Sequence, residues 1–252
     1  MDFNNKTIVI TGGANGIGAA CAKELYDAGA NVAILDLTDK NKRDDDPRWL
    51  YQNCDVSKGS DVESAMKAVY ERFGAIHCLI NNVGIQRYGS VADTSEEDWD
   101  LVMNVNLKSY FLCSKYAIPF MKKNPDGVII NMSSVQAFVT QEKVAAYASS
   151  KTAILGLTRS IAIDYAPHIR CVAVCPGTID TPMLRSSLAL SPDPDAVMKE
   201  CEDMHLVKRI GRPKEVAALV KFLCSEHAAF ITGESIRVDG GLGIMIQGSK
   251  KE

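Results

Sequence analysis

Tyr147 and Lys151 stand four residues apart in the stretch AYASSK. On a helix that spacing puts a phenol and an ammonium on one face. A free phenol titrates near pH 10, so its anion is scarce at neutral pH. A neighbouring ammonium favours the anion, and lowering the pKa by two units takes roughly 2.7 kcal/mol of differential stabilisation. A phenol tuned in this way can take a proton from an alcohol or return one to a carbonyl. An isolated pair at this spacing is more often part of an amphipathic surface. The chemical reading therefore needs support from elsewhere in the chain.

The first support is TGGANGIG at 11–18, which follows an apolar run and opens a helical one. Gly12, Gly16 and Gly18 allow a tight turn and close approach of a pyrophosphate. With Asn15 and Ile17 they open a helix whose unpaired N–H groups and positive dipole end attract phosphate. Asp36 ends the second apolar run, eighteen residues after Gly18. A carboxylate there can accept hydrogen bonds from the adenosine ribose hydroxyls and would repel a 2′-phosphate. No Arg or Lys stands at Ala14, Asn15 or directly after Asp36 to hold such a phosphate, so NAD is favoured over NADP. Asp55 can cap the adenine amino group beside Val56, although a plain turn residue would look the same.

These residues need a scaffold that brings them together. Apolar β-branched runs at 6–11, 31–36, 49–55, 77–82, 127–134, 169–177 and 235–241 alternate with helix-period segments at 16–29, 60–73, 96–123, 145–165 and 214–224. Strands apolar on both faces and separated by helices predict a parallel sheet covered on both sides. The expected fold is a single α/β domain over 1–252, a doubly wound Rossmann-type sheet of about seven strands. Ligands then bind beyond the carboxyl ends of the strands, where strand order reverses. Pro192 and Pro194 mark a polar insertion near 186–201, read as part of a flexible lid at about 183–205.

Composition excludes several classes. The 252 residues carry a formal net charge of −3 and show no basic cluster to bind nucleic acid. The densest charge run, DKNKRDDD at 39–46, is mixed in sign and reads as a solvated loop. No apolar run reaches the roughly 18 residues of a membrane helix. Eight cysteines without a C-x-x-C pair or an opening signal peptide predict reduced, buried thiols and a cytoplasmic protein. His77, His168, His205 and His227 lack metal-ligand spacing, so no metal is expected.

TGGANGIG, NNVG at 81–84, VNL at 105–107, the serine pair Ser133–Ser134, Y-x-x-x-K and Pro176–Gly177 occur in the order of the short-chain dehydrogenase/reductase family, which the chain resembles through its closing TGESIRVDGG. Val83 departs from that family's usual alanine. SSVQA, AIDYAP, VCPGTIDTP and the RIG–P–EVA pattern are similar to the aldohexose dehydrogenases of the family. The resemblance implies a catalytic set of Asn106, Ser134, Tyr147 and Lys151, with Ser134 rather than Ser133 because it lies thirteen residues before Tyr147. It implies that Asn82, Val83 and Gly84 line the coenzyme and that Pro176, Gly177, Ile179 and Thr181 hold the nicotinamide. Tyr147 and Lys151 also face the coenzyme, the lysine on the nicotinamide ribose. Ser134 would stabilise charge on the substrate oxygen, and Asn106 could hold a water passing the proton from Lys151 to solvent.

The substrate is less legible. Segments 85–89, 135–144 and 178–201 are the expected pocket walls, and they carry amides and charges that suit a molecule rich in hydroxyls. Gln86 and Gln136 are the expected substrate contacts, with Ser134 and Tyr147, whereas Arg87 and Lys143 are equally at home in solvent. The leading expectation is oxidation of the anomeric hydroxyl of an aldose to its lactone. The alternative within enzymes is a 3-oxoacyl or other secondary-alcohol/ketone reductase. A nucleotide-sensing regulator would show gaps at the four catalytic positions, and all four are filled. The family's habit implies a homotetramer. Apolar residues on more than one face of 104–123 and 145–165, and the apolar tail LGIMIQ at 242–247, suit subunit contacts.

Overall fold

The structure, a computed structural model, describes residues 1–40, 43, 45–124 and 126–244. One parallel sheet holds β1 (Thr7–Thr11), β2 (Asn31–Asp36), β3 (Trp49–Asn53), β4 (Cys78–Asn81), β5 (Gly127–Met132), β6 (Ile169–Pro176) and β7 (Ser235–Val238). The spatial order is β3-β2-β1-β4-β5-β6-β7, every neighbouring pair parallel. Strand order reverses between β1 and β4, which opens a crevice at their carboxyl ends.

The two-residue period of a strand sends successive side chains into opposite layers. Ile8 and Ile10 of β1 pack with α1 (Gly16–Asp27) and α8 (Pro213–Leu223), while Val9 packs against α2 (Gly59–Phe73) and α4 (Ser109–Met121). The helix α5 (Ala145–Tyr165) completes the second layer through Ile161 and Ala162. Each fully buried Ile, Leu or Val adds roughly 1.5–3 kcal/mol, so the two layers fix the strand register. Beneath the crevice the buried amide of Asn81 donates to Asn131 Oδ1 (2.9 Å) and Ser114 Oγ (3.3 Å). Asn131 in turn donates to Thr158 Oγ1 at 3.0 Å, joining β4, β5, α4 and α5.

Two sequence expectations change. The single helical segment at 96–123 is α3 (Glu96–Met103), a π-helical turn (Asn104–Lys108) and α4. The polar insertion near 186–201 is largely helical, with α6 (Pro182–Leu188) and α7 (Pro194–Met204). Pro182 and Pro194 occupy first-turn positions, where the missing N–H costs nothing, and Thr181 and Asp193 cap the two helices. The proline signal read as loop was a helix start. In the charge run, Arg43 is exposed, as a solvated loop requires, and its guanidinium also stacks over Trp49 (4.2 Å) and Tyr26 (4.8 Å). Leu242–Ile244 of the apolar tail form a short turn, and Met245–Gln247 lie outside the described residues.

Seven of the eight cysteines are buried and Cys201 is half-buried. Burial pushes the thiols of Cys21 and Cys54 up to about 12, which makes them poor nucleophiles. Among the described residues no helix is long and apolar enough to cross a membrane.

Candidate active site

The crevice at the β1/β4 switch is a cleft of about 740 Å³. Its floor at one end is the glycine loop. Gly12 (φ +65°) and Gly16 (φ +54°) take the left-handed conformation that side chains disfavour. The loop is tied down by Asn82, whose side-chain amide donates to the carbonyls of Thr11 and Gly12, both at 3.1 Å. The Asn82 amide N–H donates to Thr11 Oγ1 at 3.0 Å. Asn15 precedes α1 without capping it, and the first turn carries no acidic residue. The N-terminal amides of α1 are therefore well suited to a phosphate, which tests the fit of a dinucleotide favourably.

Asp36 closes the same end. Its carboxylate accepts from Ala14 N–H (3.0 Å) and from Thr38 N–H (3.0 Å) and Oγ1 (3.2 Å). Each carboxylate oxygen has two acceptor sites; Thr38 takes both on Oδ1 and Ala14 one on Oδ2, so one site remains for a ribose hydroxyl. Asp55 accepts from Ser57 N–H (3.1 Å) and Oγ (2.7 Å) and pairs with Lys58 (3.2 Å). These contacts, the Ser57 hydroxyl foremost, hold its carboxyl below the usual range. Asp55 is thus a turn-forming residue that also borders the cleft beside Val56.

At the other end Tyr147, Lys151 and Ser134 converge from α5 and the end of β5. All three are buried, and all line the cleft. Ser134 Oγ accepts from Gln136 N–H at 3.1 Å, which leaves its proton free for the Tyr147 side of the cleft. Ser133 faces the other way, and its hydroxyl donates to the Lys151 carbonyl at 2.7 Å. Alternation at the strand end separates the two serines by role. Lys151 Nζ donates to the Met132 carbonyl at 2.9 Å and sits over the Tyr110 and Tyr147 rings at 5.5 and 5.7 Å.

The electrostatics correct one expectation. Burial raises the Tyr147 phenol above its ordinary value; the Ser134 hydrogen bond opposes this and Tyr88 adds to it. The ammonium is held on the Met132 carbonyl rather than on the phenol, so burial outweighs its attraction. The same burial brings Lys151 down to about 8.

Asn106 and Gly18 stand behind the cleft rather than on it. Asn106 lies in the π-helical turn, which carries its carboxamide inward. It accepts from Ile85 N–H (2.8 Å), donates to the Ile85 carbonyl (2.9 Å) and reaches Ser150 Oγ (3.2 Å), so its side chain clamps the 84–85 backbone. A Cβ on Gly18 would lie 2.2 Å from the Gly12 carbonyl oxygen, which marks Gly18 as a packing glycine. The other expected coenzyme contacts, including Ile17, Val83, Gly84, Pro176, Gly177, Ile179 and Thr181, line the cleft.

Gln86 and Gln136 border the substrate end. Gln136 Oε1 is buried without a hydrogen-bond partner, whereas Arg87 pairs with Asp98 at 3.4 Å and Lys143 is exposed. The lid helices add an apolar wall through Met183, Leu184, Leu188 and Val197. Among the described residues no His/Cys/Asp/Glu group could hold a metal ion.

Two supports escaped the sequence reading. Thr11 holds β4 to the glycine loop, as above. Tyr110, fully buried, places its hydroxyl 3.0 Å from the Val83 carbonyl and 2.9 Å from that of Met132. A tyrosine four residues after Asn106 within an apolar helix was the available signal, because a buried phenol requires a partner.

Known proteins are similar to this chain in sequence and fold. Residues 12–243 match the family model described as enoyl-(acyl carrier protein) reductase. An uncharacterised oxidoreductase of Thermotoga maritima is 39% identical over 251 residues, covering 96% of this chain and 98% of the relative. The ligand-free structure of Thermoplasma acidophilum aldohexose dehydrogenase superposes with a TM-score of 0.94 at 40% identity, covering 99% of this chain and 98% of that one. Levodione reductase superposes with a TM-score of 0.91 at 30% identity, covering 96% and 98%.

Proposed function

The chain belongs to the short-chain dehydrogenase/reductase family, oxidoreductases that use a nicotinamide coenzyme, and from that premise we propose that it is an NAD-dependent dehydrogenase oxidising the anomeric hydroxyl of an aldose to the lactone. The observation that carries the sugar reading is Gln136. Its side chain lines the cleft two residues from Ser134, and its amide could hydrogen-bond a hydroxyl-rich substrate after a small rotation that brings its buried, unpartnered Oε1 into the cleft. Gln86, which lines the same cleft, and the similarity to an aldohexose dehydrogenase support the same reading. Asp36 supports NAD, because its carboxylate would repel a 2′-phosphate.

The coenzyme, when bound, supplies a ring that takes the hydride and, in its oxidised form, a positive charge beside the phenol. Tyr147 takes the hydroxyl proton of the substrate. Ser134 donates a hydrogen bond to the same oxygen as its charge develops. Lys151 keeps its ammonium within reach of both the phenol and the coenzyme ribose. Asn106 holds the 84–85 backbone against the coenzyme, and a water near it would carry the proton outward from Lys151. In the protein alone the raised phenol is a proton donor, suited to the reverse reaction. A positive charge on a bound ring would favour the phenolate, and Tyr147 would then serve as the proton acceptor.

The apolar lid face favours a second reading, a ketone or secondary-alcohol reductase, in line with the similarity to levodione reductase. A panel of aldoses, 3-oxoacyl thioesters and secondary alcohols, each assayed with NAD and NADP, separates the two. The expected result is aldose oxidation with NAD at least tenfold preferred over NADP. Brisk turnover of an apolar ketone with no aldose activity would replace the first reading by the second.

We further propose that the enzyme is cytoplasmic, in keeping with its free thiols, and a homotetramer. Phe111 on α4 and Ile163 on α5 expose large apolar side chains that a neighbouring subunit would cover. Sedimentation at micromolar concentration is expected to give four chains per particle; a monomer would refute the assembly.

A further inference from the structure

His205 follows α7 and is only 2% exposed. Its Nε2 accepts the Thr178 amide N–H at 3.2 Å, and its Nδ1 lies 2.6 Å from the Cys201 carbonyl. An amide N–H donates only, so Nε2 must be the acceptor. The ring proton is then on Nδ1, donated to Cys201. One neutral imidazole thereby joins the last turn of α7 to the residue directly after Pro176–Gly177. Two glycines from distant segments make room for it. A Cβ on Gly177 would lie 2.8 Å from Nε2, and one on Gly240 would lie 3.3 Å from Cδ2.

The helical excursion α6–α7 leaves from and returns to the same short stretch. Thr181 caps α6 through Oγ1, which accepts the Leu184 N–H at 3.4 Å. Asp180 N–H donates to the Gly211 carbonyl at 2.9 Å, and Gly211 N–H to the Thr178 carbonyl at 2.8 Å. Those bonds fasten the base of the excursion. Among the described residues, His205 alone carries a side-chain bond from Thr178 into α7 itself. We infer that His205 is a positioning residue, coupling the α6–α7 lid to the 176–181 loop so that the lid's seating sets the nicotinamide half of the coenzyme site. This rests on the coenzyme reading above.

The test compares NADH with ADP-ribose, which lacks the nicotinamide, by calorimetric titration. Wild type is expected to bind both. His205→Leu orphans the Thr178 N–H and is expected to weaken NADH about tenfold, the effect of one buried hydrogen bond, with ADP-ribose within about twofold. His205→Gln retains an acceptor and is expected to recover most of the NADH affinity. Should the leucine variant fail to fold, His205→Asn, which keeps a donor toward Cys201 but is too short to place its oxygen at the Nε2 position, takes its place in the comparison. Equal weakening of both ligands, no weakening of NADH, or a glutamine variant as poor as leucine overturns the inference. Failure of wild type to bind either ligand would instead sink the coenzyme reading on which it stands.

Discussion

Replacing Tyr147 by Phe is expected to lower kcat roughly 10³-fold while leaving coenzyme affinity within about twofold. The phenyl ring keeps the packing of a side chain that is 8% exposed, and only the hydroxyl is lost. That hydroxyl is the group placed to exchange a proton with the substrate oxygen, and its loss raises the barrier by about 4 kcal/mol. Ser134 retains its bond from Gln136 N–H and Lys151 its bond to Met132, so the rest of the cluster stays in place. Stopped-flow turnover alongside equilibrium coenzyme titration separates chemistry from binding. Turnover within tenfold of wild type would remove the phenol from the mechanism.

The second large effect concerns Lys151, where function and stability oppose each other. Lys151→Met is expected to abolish turnover and yet to stabilise the coenzyme-free protein at pH 7 by about 2 kcal/mol. Burial brings the lysine from 10.5 to about 8, a charge penalty of roughly 3 kcal/mol. Losing its bond to the Met132 carbonyl returns about 1 kcal/mol of that. Tyr110 remains beside that carbonyl as a partner. The sign follows from proton counts. Below about 8 the folded lysine is charged and the cost is fully present. Between about 8 and 10.5 the unfolded chain holds a proton that the folded one has released, so wild-type stability rises with pH. The variant's advantage therefore shrinks from pH 7 to pH 10. Denaturant melts at the two pH values measure it, and a variant less stable than wild type at pH 7 would refute the buried charge.

The coupling of Tyr147 to Lys151 shows where residue spacing misleads. Four residues on a helix place the two side chains on one face, and the structure keeps them there, with Nζ 5.7 Å from the phenol ring. Spacing could not show that Lys151 would be tethered to Met132, or that burial would raise rather than lower the phenol. Both depend on β5 ending under α5. Asn106 is similar. Its order in the chain marked it, but the π-helical turn that turns its amide onto Ile85 has no signature in apolar periodicity, because one extra residue in a turn barely changes the pattern.

The lid shows the opposite failure. Pro192 and Pro194 read as loop because proline breaks a helix interior, yet Pro194 begins α7, where its missing N–H is one the helix never uses. Only the neighbouring cap, Asp193 accepting from Ala196 N–H at 3.0 Å, distinguishes the two cases.

The sequence by itself determined the sheet, its layers and the end at which a ligand would lie. Continuous apolar β-branched runs, the helix-period segments between them and glycines that require left-handed backbone are local properties, written residue by residue. Tertiary structure alone decided the charge states and the couplings. Desolvation of Tyr147 and Lys151, the empty acceptor of Gln136 and the bridge made by His205 each depend on atoms brought together from distant segments. Electrostatic and hydrogen-bond energies vary with surroundings in three dimensions, and no spacing along the chain encodes them.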